Sequence, residues 1–158
     1  MASVSTSSKA LRAFLTGIVA VVALTACTTA PVTDRHQLAL VPVSELADQS
    51  DRAYEELLAE SDVETGTADA RMVARVGGRV ATSAEVFLRN RGMEDDVPLY
   101  DWEFTLIRDD DSVNAFAMPG GKVAVYTGIL PVADGEEGLA VIMGHEVAHV
   151  VANHGQER

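Results

Sequence analysis

Cysteine is almost missing from this chain of 158 residues: Cys27 stands alone. No internal disulfide can form, so the fold must stand on packing. Positive charge is scarce too, with 12 Lys and Arg against 24 Asp and Glu and a formal net charge of −12. Such a chain is repelled by nucleic acid and by anionic lipid, which argues against an electrostatic nucleic-acid binder. Long apolar runs are also lacking; the longest, Ala13 to Ala23, falls well short of the roughly 20 residues a membrane-spanning helix needs. What the chain does have is 47% hydrophobic residues and 23% charged, enough for a core and unlike a disordered segment. Its length allows about one domain.

The first residues read as an address. Met1 to Arg12 is Ser-rich with Lys9 and Arg12, and the short apolar run follows. A basic start, a short apolar run and then small residues is the layout of a secretory signal, here residues 1–26. Leu24-Thr25-Ala26-Cys27 resembles a bacterial lipobox, in which the Cys is acylated and becomes the new N-terminus. Acyl chains contribute about 0.8 kcal/mol per buried methylene, so an acylated Cys27 would tether the protein to a membrane. An ordinary cleavage site followed by an incidental thiol is the alternative. Thr28 in place of Asp favours, by resemblance to lipoprotein sorting, the periplasmic face of the outer membrane over the inner membrane. Residues 27–43, with Pro31 and Pro42 and little periodic pattern, read as a tether.

Residues 44–158 read as the folded part. Leu46, Ala53, Tyr54, Leu57 and Leu58 recur at helical spacing up to about Glu60. A second helix is expected from about Ala68 to Arg91, with Met72, Val76, Val80, Ala84, Phe87 and Leu88 on its inner side and Gly77-Gly78 marking close packing against another backbone. Gly92 to Pro98 is acidic and turn-like. Trp102 to Ile107 reads as a strand closed by Asp109-Asp110-Asp111, a solvated turn whose spacing does not match a calcium loop. Val113 to Met118 and Lys122 to Thr127, around Pro119-Gly120-Gly121, give a hairpin signal. The last helix is expected to start at Asp134 as N-cap, with Glu137 in capping-box position, and to run to the chain's end.

That helix carries His145-Glu146-Val147-Ala148-His149. Residues four apart project only about 40° from each other, one turn above the other, so one zinc ion can take both imidazoles. Glu146 lies beside such a metal and not on it, placed to take a proton from a zinc-bound water and pass it to a leaving amine. A solvated polar stripe without metal is the alternative, since His145, Glu146, His149 and Asn153 share one sector. However, the rest of the helix is apolar nearly all round, as buried helices are, and burying this polar set without a partner would cost several kcal/mol. A third ligand is needed. Ala152 and Gly155 stand where the metzincin pattern requires Gly and His. His154 points away on a continuous helix, and His36 lies in the tether. The remaining solution is a ligand from a helix beyond Arg158, which makes this the N-terminal part of a longer domain.

Asn114-Ala115-Phe116-Ala117-Met118-Pro119-Gly120-Gly121, then Val125-Tyr126-Thr127-Gly128, then His145 to His149 and His154 to Arg158, resemble the HtpX-like gluzincin metallopeptidases, most of all their periplasmic lipoprotein branch. The resemblance implies an α+β, zincin-like fold: N-terminal helices, a small antiparallel sheet or hairpin, then the active-site helix. It implies a zinc endopeptidase acting on misfolded or misassembled envelope proteins, with a Glu on a later helix as third ligand. In that family the hairpin edge strand pairs with the substrate backbone. Asn114, Ala115 and Phe116 thereby become candidate substrate contacts, with a core role for Phe116 and a turn role for Asn114 as the alternative. A chaperone-like lipoprotein that keeps the zinc helix as structure and does not cleave is the rival, although it has no use for a general base at Glu146.

Overall fold

The computed structural model describes residues 43–153, together with the backbone of 27–29 and 36–38. It divides into two units, Met1–Leu40 and Val41–Arg158, each described by itself. In the first, β1 (Cys27–Thr29) pairs antiparallel with β2 (His36–Leu38), Cys27 opposite Leu38, so a short strand pair lies within the segment expected to be a tether. The proposed signal, 1–26, lies outside the described residues, as do residues 154–158 and the Cys27 side chain. Among the described residues no helix is long and apolar enough to cross a membrane.

The second unit begins with α1 (Val43–Glu60), the helix expected from its Leu and Tyr spacing. It buries Tyr54, whose hydroxyl donates to the Val123 carbonyl at 3.2 Å, so the one polar atom of that ring is satisfied beneath the sheet. After the two-residue strand β3 (Val63–Glu64) comes α2 (Ala68–Asn90). Thr67 caps it, its Oγ1 accepting from the Ala70 N–H at 3.0 Å, and Asp69 and Arg89 sit where the helix dipole favours them. Its buried stripe is Val73, Val76, Gly77, Ala81 and Leu88. Phe87 is not inside as expected: it is 38% exposed, with the Arg91 guanidinium 5.2 Å over its ring. Gly77 does mark close packing, though against a side chain; a Cβ there would lie 2.2 Å from Phe104 Cγ.

A 3₁₀ turn (Glu94–Leu99) leads to β4 (Glu103–Ile107), β5 (Ala115–Met118) and β6 (Lys122–Tyr126). The strand order is β3-β4-β6-β5. The β5–β6 hairpin is antiparallel as expected, but β6 runs parallel to β4, so the sheet is mixed and not antiparallel. The cause is connectivity. The chain leaves β4, passes to the outside, returns as β5, and only then enters β6, which slots between them. Being central, β6 is buried at Lys122, Val123, Ala124 and Val125. The Lys122 ammonium is held by Asp101 at 2.8 Å and Glu103 at 3.4 Å. Burial opposes that charge, but these carboxylates outweigh it and leave the Lys122 pKa raised. The hairpin turns at Pro119-Gly120, where the Gly121 N–H donates to the Met118 carbonyl at 3.1 Å and Gly120 has φ +87°. Pro then Gly with positive φ is the demand of a type II turn.

A 3₁₀ turn (Thr127–Ile129) runs into a single helical turn, α3 (Leu130–Ala133), and then α4 (Glu136–Val151). Asp134 is not the N-cap of α4. It closes α3 with a left-handed backbone, φ 50°, and its N–H donates to the Leu130 carbonyl. Gly135 occupies the N-cap of α4 with no side-chain bond, so the expected capping box with Glu137 does not form. Residues 127–133 are already helical, and Asp134 takes up the change of direction that separates the two helices.

Candidate active site

The helix that carries the histidines is anchored along one side. Leu139, Met143, Val147 and Val151 recur every four residues, are all buried, and set α4 against α2 and β5. Its start is tied by Glu136, which pairs with Arg75 and, at 3.8 Å, with Arg79 of α2. The Arg75 hydrogen bond holds the Glu136 carboxyl below its usual pKa. The expectation that an all-round apolar helix would be buried all round does not hold: Val141 is 73% exposed. One apolar stripe finds partners within the described residues, and the opposite side is open.

His145 and His149 sit on that open side, one helical turn apart. Their Nε2 atoms are 3.0 Å from each other, and the rings meet edge to face with centroids 4.5 Å apart. The side chains converge. Two nitrogens bound to one tetrahedral zinc at about 2.0–2.1 Å would stand about 3.3 Å apart, so the observed spacing fits a shared ion with a small adjustment. Glu146, half-buried between them in sequence, takes the adjoining sector of the helix. Among the described residues no third His, Cys, Asp or Glu joins the pair to form a set that could hold a metal ion. The helix also ends sooner than expected. Val151 is its last residue, and Asn153 adopts φ 59°, a left-handed stop that Asn tolerates. The continuous helix that set His154 aside therefore does not exist, and His154 itself lies outside the described residues.

Beside α4 runs the sheet edge, β5. The Tyr126 N–H donates to the Asn114 carbonyl at 3.1 Å, which makes Asn114 and Tyr126 a hydrogen-bonded pair. Counting along the register, Phe116 with Ala124 and Met118 with Lys122 are bonded pairs as well. Ala115 and Ala117 fall between, so their N–H and C=O groups point to the outer edge. Phe116 packs on the cluster of Tyr54, Ile107 and Ala124, with its ring 6.2 Å from that of Tyr126. Of the three residues singled out, then, Ala115 presents backbone to the edge, Asn114 spends its carbonyl on the hairpin, and Phe116 faces the core. Ala117 was overlooked. The turn held the signal, because a three-residue loop at 119–121 fixes which residues alternate outward.

The chain is similar in sequence to known metalloendopeptidases. The fission yeast mitochondrial metalloendopeptidase OMA1 is 54% identical over 57 residues, which is 36% of this chain and 17% of that protein. The putative beta-barrel assembly-enhancing protease of Vibrio cholerae is 47% identical over 51 residues, 32% of this chain and 10% of that protein. Human metalloendopeptidase OMA1 is 28% identical over 131 residues, 81% of this chain and 24% of that protein. The match therefore spans under a quarter of the length of each of these relatives. No solved structure matches the chain. The model of Peptidase family M48 matches residues 70–158, more than half of the chain and the stretch that holds three of the sheet's four strands, the edge strand β5 among them, and the paired imidazoles. The chain belongs to peptidase family M48, and the likeness to HtpX-like gluzincins seen in its hairpin and final helix is borne out.

Proposed function

We propose that this chain carries the metal-binding helix of a zinc-dependent endopeptidase, with His145 and His149 holding the ion and Glu146 acting as general base. The observation that carries the proposal is the convergence of the two Nε2 atoms to 3.0 Å on the open side of a helix whose other side is locked into the core. Members of the family are in general zinc-dependent. Zinc, when bound, supplies a Lewis acid that polarises the scissile carbonyl. The residues do the rest. His145 and His149 would hold the ion through their converging Nε2 atoms. Glu146 accepts the proton of the attacking water and delivers it to the departing amine. The outward N–H and C=O groups of Ala115 and Ala117 hold the substrate extended along β5, by strand addition.

Strand addition reads backbone more than side chain, so broad specificity toward unfolded segments follows. We take the substrates to be misfolded or misassembled envelope proteins. The names of the Vibrio relative and of the Escherichia coli beta-barrel assembly-enhancing protease, 40% identical over 53 residues, support this reading. The leader and Cys27 support a lipid-anchored protein of the bacterial cell envelope, on the periplasmic face of the outer membrane.

The test is Glu146→Gln in the full-length protein. A general base contributes about 10²–10⁴-fold, so cleavage of an unfolded protein substrate should fall by at least about a hundredfold with zinc content unchanged. Undiminished cleavage by that variant would end the mechanism. Cleavage by neither form, with normal rescue of a deletion strain by both, would favour the non-cleaving chaperone-like reading.

A further inference from the structure

The segment Thr127-Gly128 follows β6 directly, yet its polar groups are spent on the loop that leads into β5. Thr127 Oγ1 donates to Asp110 Oδ1 at 2.6 Å and accepts from the Asp109 N–H at 2.9 Å. The Gly128 N–H donates to the Asp109 carbonyl at 3.1 Å. Gly128 is also where the loop lies closest; a Cβ there would fall 2.6 Å from the Ser112 carbonyl oxygen and 2.7 Å from that of Asp110. Within the loop, Asp109 Oδ2 accepts from Ser112 Oγ at 2.6 Å and Oδ1 from the Asp111 N–H at 3.2 Å. Two residues past this knot, Asn114 is fixed by Tyr126. Asp109-Asp110-Asp111 is therefore no idle solvated turn: two of its three carboxylates lock the loop.

We propose that Thr127 and Gly128 are positioning residues for substrate. By holding 109–112 from behind they fix where β5 starts, and so where Ala115 and Ala117 offer their outward backbone groups to an extended peptide. The proposal rests on reading β5 as the substrate rim. Thr127 is suited to the task because one hydroxyl both donates and accepts, closing the loop on two adjacent residues at once. Gly128 is suited because only a residue without a side chain lets the loop carbonyls approach that closely.

The experiment uses full-length protein and separates the rim from the chemistry. In a Glu146→Gln background, binding of a fluorescent extended peptide is measured by anisotropy for Thr127, Thr127→Val and Thr127→Ser. Losing a hydrogen bond to a charged group is worth roughly tenfold, so Kd should rise about tenfold in Thr127→Val and recover in Thr127→Ser. With Glu146 intact, KM should rise by about the same factor while kcat stays within about twofold and zinc content is unchanged. Asp110→Asn, which keeps the acceptor and removes the charge, should shift Kd in the same direction by a smaller factor and serves if Thr127→Val does not fold. Unaltered Kd in both variants would overturn the proposal. So would a fall in kcat accompanied by zinc loss, which would place Thr127 in support of α4 instead. Absence of peptide binding in the parent would overturn the rim itself, whereas peptide binding without cleavage by the Glu146 form would count against the enzyme reading alone.

Discussion

Helices α2 and α4 lie against each other, and they are built on different principles. In α2 most local signals agree with the structure: Thr67 caps the start, Asp69 and Arg89 complement the dipole, and one apolar stripe is buried, although Phe87 stands outside it. In α4 the local signals are weak or misleading. It starts without a side-chain cap, and its apolar residues surround it, yet only the stripe from Leu139 to Val151 is covered while Val141 stays exposed. The first helix is specified by its own sequence; the second is placed by what it touches. A helix that presents two imidazoles on one side has its other side left for anchoring, and tertiary contact supplies what capping does not.

The largest effect that would break this contrast is expected at Met143→Ala. Met143 is fully buried in the anchoring stripe. Removing a buried Met side chain costs about 2–5 kcal/mol, seen as a lowered denaturant midpoint with unchanged slope. A loss below about 1 kcal/mol would mean that α4 is not held by that stripe. Next in size is the pair of neighbouring glycines in α2. Gly77→Ala would drive a Cβ into the Phe104 ring, an overpacking cost of about 1–3 kcal/mol. Gly78 has nothing within 4 Å of the same position, and Gly78→Ala should instead stabilise by up to about 1 kcal/mol through helix propensity. Thermal melts of the two variants should move in opposite directions; a common sign would show that α2 does not pack on β4 as described.

Those neighbouring glycines also show how far the sequence could be read. Helix spacing placed α1 and α2 to within a residue or so, and the Pro-Gly-Gly turn placed the hairpin, because periodicity and turn chemistry are local. The histidine pair was legible for the same reason, since four-residue spacing on any helix brings two side chains together. Which glycine of the two meets Phe104 was not legible, as it depends on a strand 27 residues away along the chain. The parallel pairing of β4 and β6 was hidden likewise, because the hairpin signal says nothing about which neighbour the second strand finds. Thr127 was passed over since a lone Thr at a strand end carries no pattern; its partners lie 17 and 18 residues back.

The smallest test concerns a residue where a local rule gave the wrong answer. Asp134 followed by Glu137 has the outline of a capping box, and as an N-cap Asp134 could be replaced by Thr at a cost of only a few tenths of a kcal/mol. In the structure Asp134 instead has φ 50°, a conformation Asp tolerates but a β-branched residue resists. Asp134→Thr should therefore destabilise by about 1 kcal/mol, while Asp134→Asn, equally at ease in either role, should leave the melting temperature where it was. Equal melting of all three proteins would return Asp134 to the start of α4. A loss confined to Thr would show that the active helix begins at Gly135, held there by the Glu136 ion pair and its buried stripe and not by a cap.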